Sequence, residues 1–201
     1  MAFLNIPKGR SDFETIRKEG FYYVDKTGLI GEILKSSGTQ VTLITRPRRF
    51  GKTLGMTTLE CFLDIQKDSR NLFEGLEISK HRCICDEWMN QWPVISLSLK
   101  AVEGNDFTTA YMQLAYEVGE LYKKHEYLME SPALNAEEKK KFGDIRYGRA
   151  GKIEVMRSLQ ILSEFLSRHY NKSVILLIDE YDVPMARATS NGYYKEMLEI
   201  M

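Results

Sequence analysis

Val41-Thr42-Leu43-Ile44-Thr45-Arg46-Pro47-Arg48-Arg49-Phe50-Gly51-Lys52-Thr53-Leu54 is the stretch on which the fold turns. Its first five residues form a short β-branched, apolar run that suits a buried parallel strand. Residues 46–51 read as a turn. From Lys52 to about Ile65 the pattern is helical. A strand, a tight turn and a helix that opens on Lys-Thr are the context a phosphate-binding loop requires. Gly51 would let the backbone turn closely against a phosphate. Successive backbone N–H groups and the helix N-terminus would form an anion cradle running through Arg46, Pro47, Arg48, Arg49, Phe50, Gly51, Lys52, Thr53 and Leu54. Lys52 would serve as a catalytic point charge on the β- and γ-phosphates, and the Thr53 hydroxyl would take one Mg²⁺ position. One element departs from G-x-x-x-x-G-K-[ST]: Arg46 stands where the first glycine would be. Phe50 is expected to anchor the loop in the core.

A matching element lies downstream. Val174–Ile178 is the most apolar run of the chain and leads into Asp179-Glu180-Tyr181-Asp182. Four apolar residues followed by Asp-Glu form a Walker B pattern. Asp179 would orient Mg²⁺, and Glu180 would polarise the water that attacks the γ-phosphate. Asp182 would either support the Mg²⁺ shell or cap the following turn. Each motif alone has a bland reading, as a chance helix start or an acidic turn. Their order and their predicted elements together favour the chemical one.

Other elements fill in around these two. Residues 11–20 predict a short helix capped by Ser11 with Glu14 three residues on, and Thr27–Lys35 a second helix. Val94–Leu99 predicts a strand, and Phe107 to about Tyr127 a long helix. Residues 131–150 read as a surface loop with a helical turn or two. Lys152–Tyr170 predicts one amphipathic helix, and another starts after Pro184. Alternating strands and helices predict an α/β chain, a P-loop three-layer sandwich around a parallel sheet. Three strands make a meagre sheet. An Asp-Glu pair suits the P-loop class with an extra strand between the two motif strands. The sequence reaches Met201 before any such strand, so it reads as a C-terminally truncated part of a longer ATPase. Residues 1–40 would be an N-terminal helical segment, and residues 41–201 the P-loop core through Walker B.

Bulk properties set outer limits. The 201 residues carry 28 Lys plus Arg against 28 Asp plus Glu, which gives no global pull toward nucleic acid or an anionic membrane. No apolar run approaches the length of a membrane span. Three cysteines, Cys61, Cys83 and Cys85, suggest reduced thiols in a cytoplasm rather than a disulfide framework.

SDFETIRKEGFYYVDKTGLI, VTLITRPRRFGKTL, WPVISLSLK and VILLIDEYDVP together resemble the bacterial AAA-ATPase-like family, over nearly all of residues 5–200. The resemblance implies a cytoplasmic ATPase domain using ATP and Mg²⁺. The arginine at position 46 is usual there. Family members are often longer and often end in a restriction-endonuclease-like nuclease domain. A polar sensor strand, an arginine finger and that nuclease-like domain would therefore lie outside this sequence. ATP rather than GTP rests on the resemblance, since no base-reading motif is visible. In related ATPases the segment before the P-loop strand meets the base, which nominates Tyr22, Tyr23, Asp25 and Lys26 against a reading as ordinary packing.

Alternatives stay open at this point. The chain could hold nucleotide as a switch without turnover. Arg46, Arg48 and Arg49 could grip nucleic acid, although no wider basic stripe surrounds them. His81, Cys83 and Cys85, with Cys61, invite a metal reading, but C-x-C is not a usual zinc pair. Trp88 and Trp92 read as core or edge packing.

Overall fold

The computed structural model describes residues 5–35, 41–45 and 50–201. The chain divides into two compact units, Met1–Val94 and Ile95–Met201. In the first, helix α1 (Phe13–Lys18) starts at Asp12, whose carboxylate accepts the Thr15 N–H at 2.7 Å. Asp12, not Ser11, is therefore the cap. Burial sets the phase: Phe13 and Ile16 both go into the core, which fixes where the first turn begins. Helices α2 (Gly28–Lys35), α3 (Lys52–Leu63) and α4 (Arg82–Trp88) follow. Short 3₁₀ turns at Arg70–Phe73 and Glu77–Lys80 lie between the last two.

An aromatic cluster holds this unit together. The ring centroids of Phe13 and Phe73 lie 4.8 Å apart, and those of Phe62 and Phe73 lie 5.3 Å apart. Such pairs contribute beyond their area alone. Arg17 ties α1 to the turn after α3, donating to Leu72 O at 2.7 Å and Glu74 O at 3.0 Å. Val41–Thr45 is not a strand, contrary to its pattern. Among the described residues it joins no ladder, and Val41 is 82 % exposed. A β-branched run becomes a strand only where a neighbouring strand satisfies its backbone, because strand preference is mostly context.

The second unit begins within β1 (Val94–Ser98). Helices α5 (Phe107–Lys124), α6 (Ala136–Arg146), α7 (Lys152–Met156) and α8 (Ser158–Tyr170) come next. Strand β2 (Ile175–Asp179) then pairs directly with β1, and α9 (Val183–Asn191) and α10 (Tyr194–Leu198) close the unit. The described sheet is small, parallel and two-stranded, so the chain is α/β, and of the three expected strands two pair among the described residues. Because parallel strands need a long crossover, α5 to α8 fill the connection. They bury Leu114, Tyr122, Phe142, Leu162 and Leu166 against Ile95 and Leu97 of β1.

Residues 136–146 form a full helix where a loop was expected. Asn135 and Glu138 make a reciprocal capping box, with the Glu138 N–H 3.0 Å from Asn135 Oδ1 and the Asn135 N–H 2.9 Å from Glu138 Oε2. Seven polar or charged residues hid the few buried ones, Phe142, Gly143 and Ile145. The single helix expected over 152–170 is two, interrupted at Arg157 with φ −94° and ψ 4°. At that break the buried Tyr122 hydroxyl donates to Ser158 O at 2.8 Å. Strand β2 is less buried than its apolar run suggests, since within it only Leu177 is buried and Leu176 is exposed. Among the described residues, no helix is long and apolar enough to cross a membrane.

Candidate functional site

The residues nominated for phosphate and metal fall into two sets, one in each unit. In the first unit, Gly51 sits at the start of α3 with φ 78° and ψ 26°. That left-handed conformation is strained for any residue with a Cβ, so the glycine is required by the backbone. Gly51 O accepts the Gly55 N–H at 2.9 Å, closing the first helical turn. Among the described residues no side chain caps this helix, and its first turn holds no acidic residue. The positive end of α3 therefore meets no protein carboxylate of its own helix. Lys52, Thr53 and Leu54 open the helix and are half-buried.

What holds α3 in place is α1. Thr57, two residues after Gly55, accepts the Phe13 N–H at 3.1 Å and reaches Ser11 O at 3.0 Å. Thr58 donates to Leu54 O at 2.7 Å. The Thr57 bonds join the N-terminal arm to the helix that bears Lys52 and Thr53. Sequence reading passed over Thr57, for a helical Thr gives no signal of a distant backbone partner. Phe50 does not anchor the loop in the core as expected, because it is 58 % exposed. The expected cradle residues Arg46, Pro47, Arg48 and Arg49 lie outside the described residues.

Asp179, in the second unit, is the last residue of β2, half-buried, and its carbonyl accepts the Leu99 N–H at 3.0 Å. The Asp179 carboxylate also accepts the Glu180 N–H at 3.0 Å. Glu180 has φ 54°, one of the few non-glycine residues in the left-handed region. The chain turns there, with Glu180 O accepting the Val183 N–H at 3.1 Å, and α9 starts with Pro184 in its first turn. Strain of this kind persists where the surroundings over-determine it and clusters at functional positions. Asp182 is exposed and makes no side-chain cap bond to α9.

The N-terminal arm sorts the remaining nominees. Tyr23 packs edge-on against Phe13 at 5.3 Å, and its phenol is pushed above its ordinary pKa by burial. Tyr22 is exposed. The Asp25 carboxylate accepts the Thr27 N–H, the Thr27 hydroxyl and the Glu77 N–H at 2.9, 2.7 and 2.7 Å. Desolvation alone would raise its pKa, but those bonds outweigh it and hold the carboxyl below the ordinary value. Asp25 is thus a structural clamp. Burial pushes the Cys61 thiol up to about 12. Cys85 points its sulfur at Ile78 O, 3.3 Å away, and Cys83 faces solvent. Trp88 and Trp92 stack on each other with centroids 4.9 Å apart.

The fold and these residues define an α/β protein with a glycine-started, uncapped helix and an acidic strand end. A family profile described as "Predicted AAA-ATPase" matches residues 7–201, and the chain belongs to that AAA-ATPase-like family. It is similar to an uncharacterized protein from the vnfD 5′ region of Azotobacter chroococcum mcd 1, with 28% identity over 187 residues. The match covers 92% of this chain and 30% of that protein, so the chain spans under a third of the relative's length. No solved structure matches the chain.

Proposed function

We propose that this chain is the nucleotide-binding part of an ATPase that holds Mg-ATP. The observation that carries the reading is Gly51. Its left-handed backbone starts a helix that is uncapped, lacks an acidic first turn and opens on Lys52 and Thr53. Backbone N–H groups at such a start suit phosphate oxygens. The residues present fit the group: a cationic Lys52, a hydroxyl at Thr53 and carboxylates at Asp179 and Glu180. Bound Mg²⁺ would neutralise charge building on the phosphates.

In this reading, Lys52 binds the terminal phosphates and Thr53 and Asp179 hold the metal. Glu180 accepts a proton from the attacking water. The left-handed turn at Glu180 supports that role, because it fixes the backbone that carries the carboxylate. The finer architecture, a P-loop sandwich completed by further strands of a longer protein, belongs to the same proposal. Tyr22 is the arm's free ring for base contact, since Tyr23 is used in packing.

The test is a titration with a fluorescent ATP analogue and Mg²⁺, using wild type and Lys52→Ala, with GTP as competitor. A charge-assisted contact contributes about 1.5–3 kcal/mol, so Lys52→Ala should weaken binding by about tenfold or more. Equal binding by a folded Lys52→Ala protein would overturn the assignment. A second reading, nucleotide held without turnover, draws on the two-stranded sheet. Phosphate release by the chain, abolished in Glu180→Gln, would count against it.

A further inference from the structure

A groove in the second unit is unused by the chemistry above. It is about 510 Å³, within the size range of small-molecule sites, and is formed by α5, the end of α6 and the chain leading into α7. Its concavity is built in. Gly119 lets α5 approach the end of α6 so closely that a Cβ there would lie 3.1 Å from Arg146 O. At the far wall, Gly148 with φ +66° turns the chain back, and the Arg149 and Ala150 N–H groups both donate to Asp144 O, at 2.7 and 3.0 Å.

The lining pairs aromatic surface with an under-used cation. Met112 and Tyr116, one helical turn apart on α5, are exposed at the rim, Tyr116 at 61 %. The opposite face of α5, with Leu114, Val118, Leu121 and Tyr122, already supplies the core. Tyr147 stands exposed across the groove, its ring centroid 5.3 and 5.1 Å from the Arg146 and Arg149 guanidinium carbons. Arg146 lines the groove, and its side chain is only 16 % exposed. Its Nε is buried with no hydrogen-bond partner among the described residues. Its ion pair with Glu120 is loose, 3.8 Å from Nη1, and Glu120 is shared with Lys123 at 3.6 Å. An enclosed guanidinium left under-bonded is costly. A ligand that brings an anionic acceptor would bond the terminal guanidinium nitrogens, which Glu120 holds only loosely.

We propose that this groove binds a planar aromatic anion. The ring lies against Tyr116 and Tyr147 with Met112 as a flexible edge. The anionic group accepts from Arg146, whose planar fork suits carboxylate, sulfonate or phosphate oxygens. Glu120 turns toward Lys123 as Arg146 takes the ligand. The site is independent of the nucleotide reading, because none of its residues belongs to that assignment.

The probe is 8-anilinonaphthalene-1-sulfonate, an aromatic sulfonate whose emission rises when it leaves water. Its neutral counterpart, N-phenyl-1-naphthylamine, is the control. The expected result is one saturable site for the sulfonate, with the neutral amine binding about tenfold more weakly or worse. Tyr116→Ala and Met112→Glu, at exposed positions that leave the core intact, should each weaken the sulfonate. Arg146→Gln should erase the preference for it over the amine. Binding should be unchanged in Lys52→Ala and in excess Mg-ATP. No saturable binding, equal affinity for both probes, indifference to Tyr116→Ala and Met112→Glu, or displacement by Mg-ATP would each overturn the proposal. Displacement would place the probe in the nucleotide site. If Arg146→Gln loses its thermal transition, the rim variants and the probe pair still decide.

Discussion

Replacing Glu180 by glycine should make the protein more stable while removing its proposed function. Glu180 has φ 54° at the end of β2. Holding an L-residue with a Cβ in the left-handed region costs about 1–2 kcal/mol. Glycine escapes that cost but brings extra chain entropy to the unfolded state, worth about 0.5–1 kcal/mol against folding. The difference leaves Glu180→Gly more stable by up to about 1.5 kcal/mol, or up to about 6 °C in midpoint for a chain of this length. Glu180→Gln keeps the backbone penalty and should stay within about 0.5 kcal/mol of wild type. Glu180→Val, branched at Cβ, should lose about 1 kcal/mol or more. The assay is urea unfolding followed by far-UV circular dichroism. Both tryptophans, Trp88 and Trp92, lie in the first unit, so their fluorescence reports that unit while circular dichroism reports the whole chain. If ATP is hydrolysed, Glu180→Gly and Glu180→Gln should both abolish it. The reasoning fails if Glu180→Gly destabilises as much as Glu180→Val, for then the carboxylate stabilises the fold and the turn carries no strain.

Three further outcomes follow from the same geometry. Gly51→Ala places its Cβ in open space but at φ 78°, so it should cost about 1–2 kcal/mol in the tryptophan-monitored transition and weaken nucleotide binding. Burial holds the Tyr122 phenol well above its ordinary pKa, so the folded state keeps a proton that the unfolded state releases above about pH 10. Stability should therefore fall as pH rises through that value. Tyr122→Phe should flatten that slope and lower neutral stability by about 1–3 kcal/mol, since Ser158 O loses the hydroxyl it accepts from. In a thiol titration of native protein near pH 8, exposed Cys83 should react at once. Buried Cys61 and Cys85 should react only on unfolding, Cys61 being held at about 12 by burial.

Much of this protein was legible in its sequence because the signals are local. The Gly51-Lys52-Thr53 helix start, the acidic end of the run at 174–179 and the amphipathic face of α5 follow from residue type and spacing over a few positions. The first two also lie in stretches that carried the family resemblance. Local patterns failed where a partner far along the chain decides. Whether Val41–Thr45 becomes a strand depends on a neighbouring ladder, and none forms among the described residues. The polar surface of 136–146 masked a helix anchored by Phe142 and Ile145. Of two adjacent tyrosines, packing against Phe13 separates half-buried Tyr23 from exposed Tyr22. Thr57 bracing α3 and Arg146 lying under-bonded in a groove are tertiary facts as well. Composition and periodicity fix what each segment can bury. Which backbone groups and charges find partners is decided only when the segments meet, because a hydrogen bond depends on distance and angle and not on place in the chain.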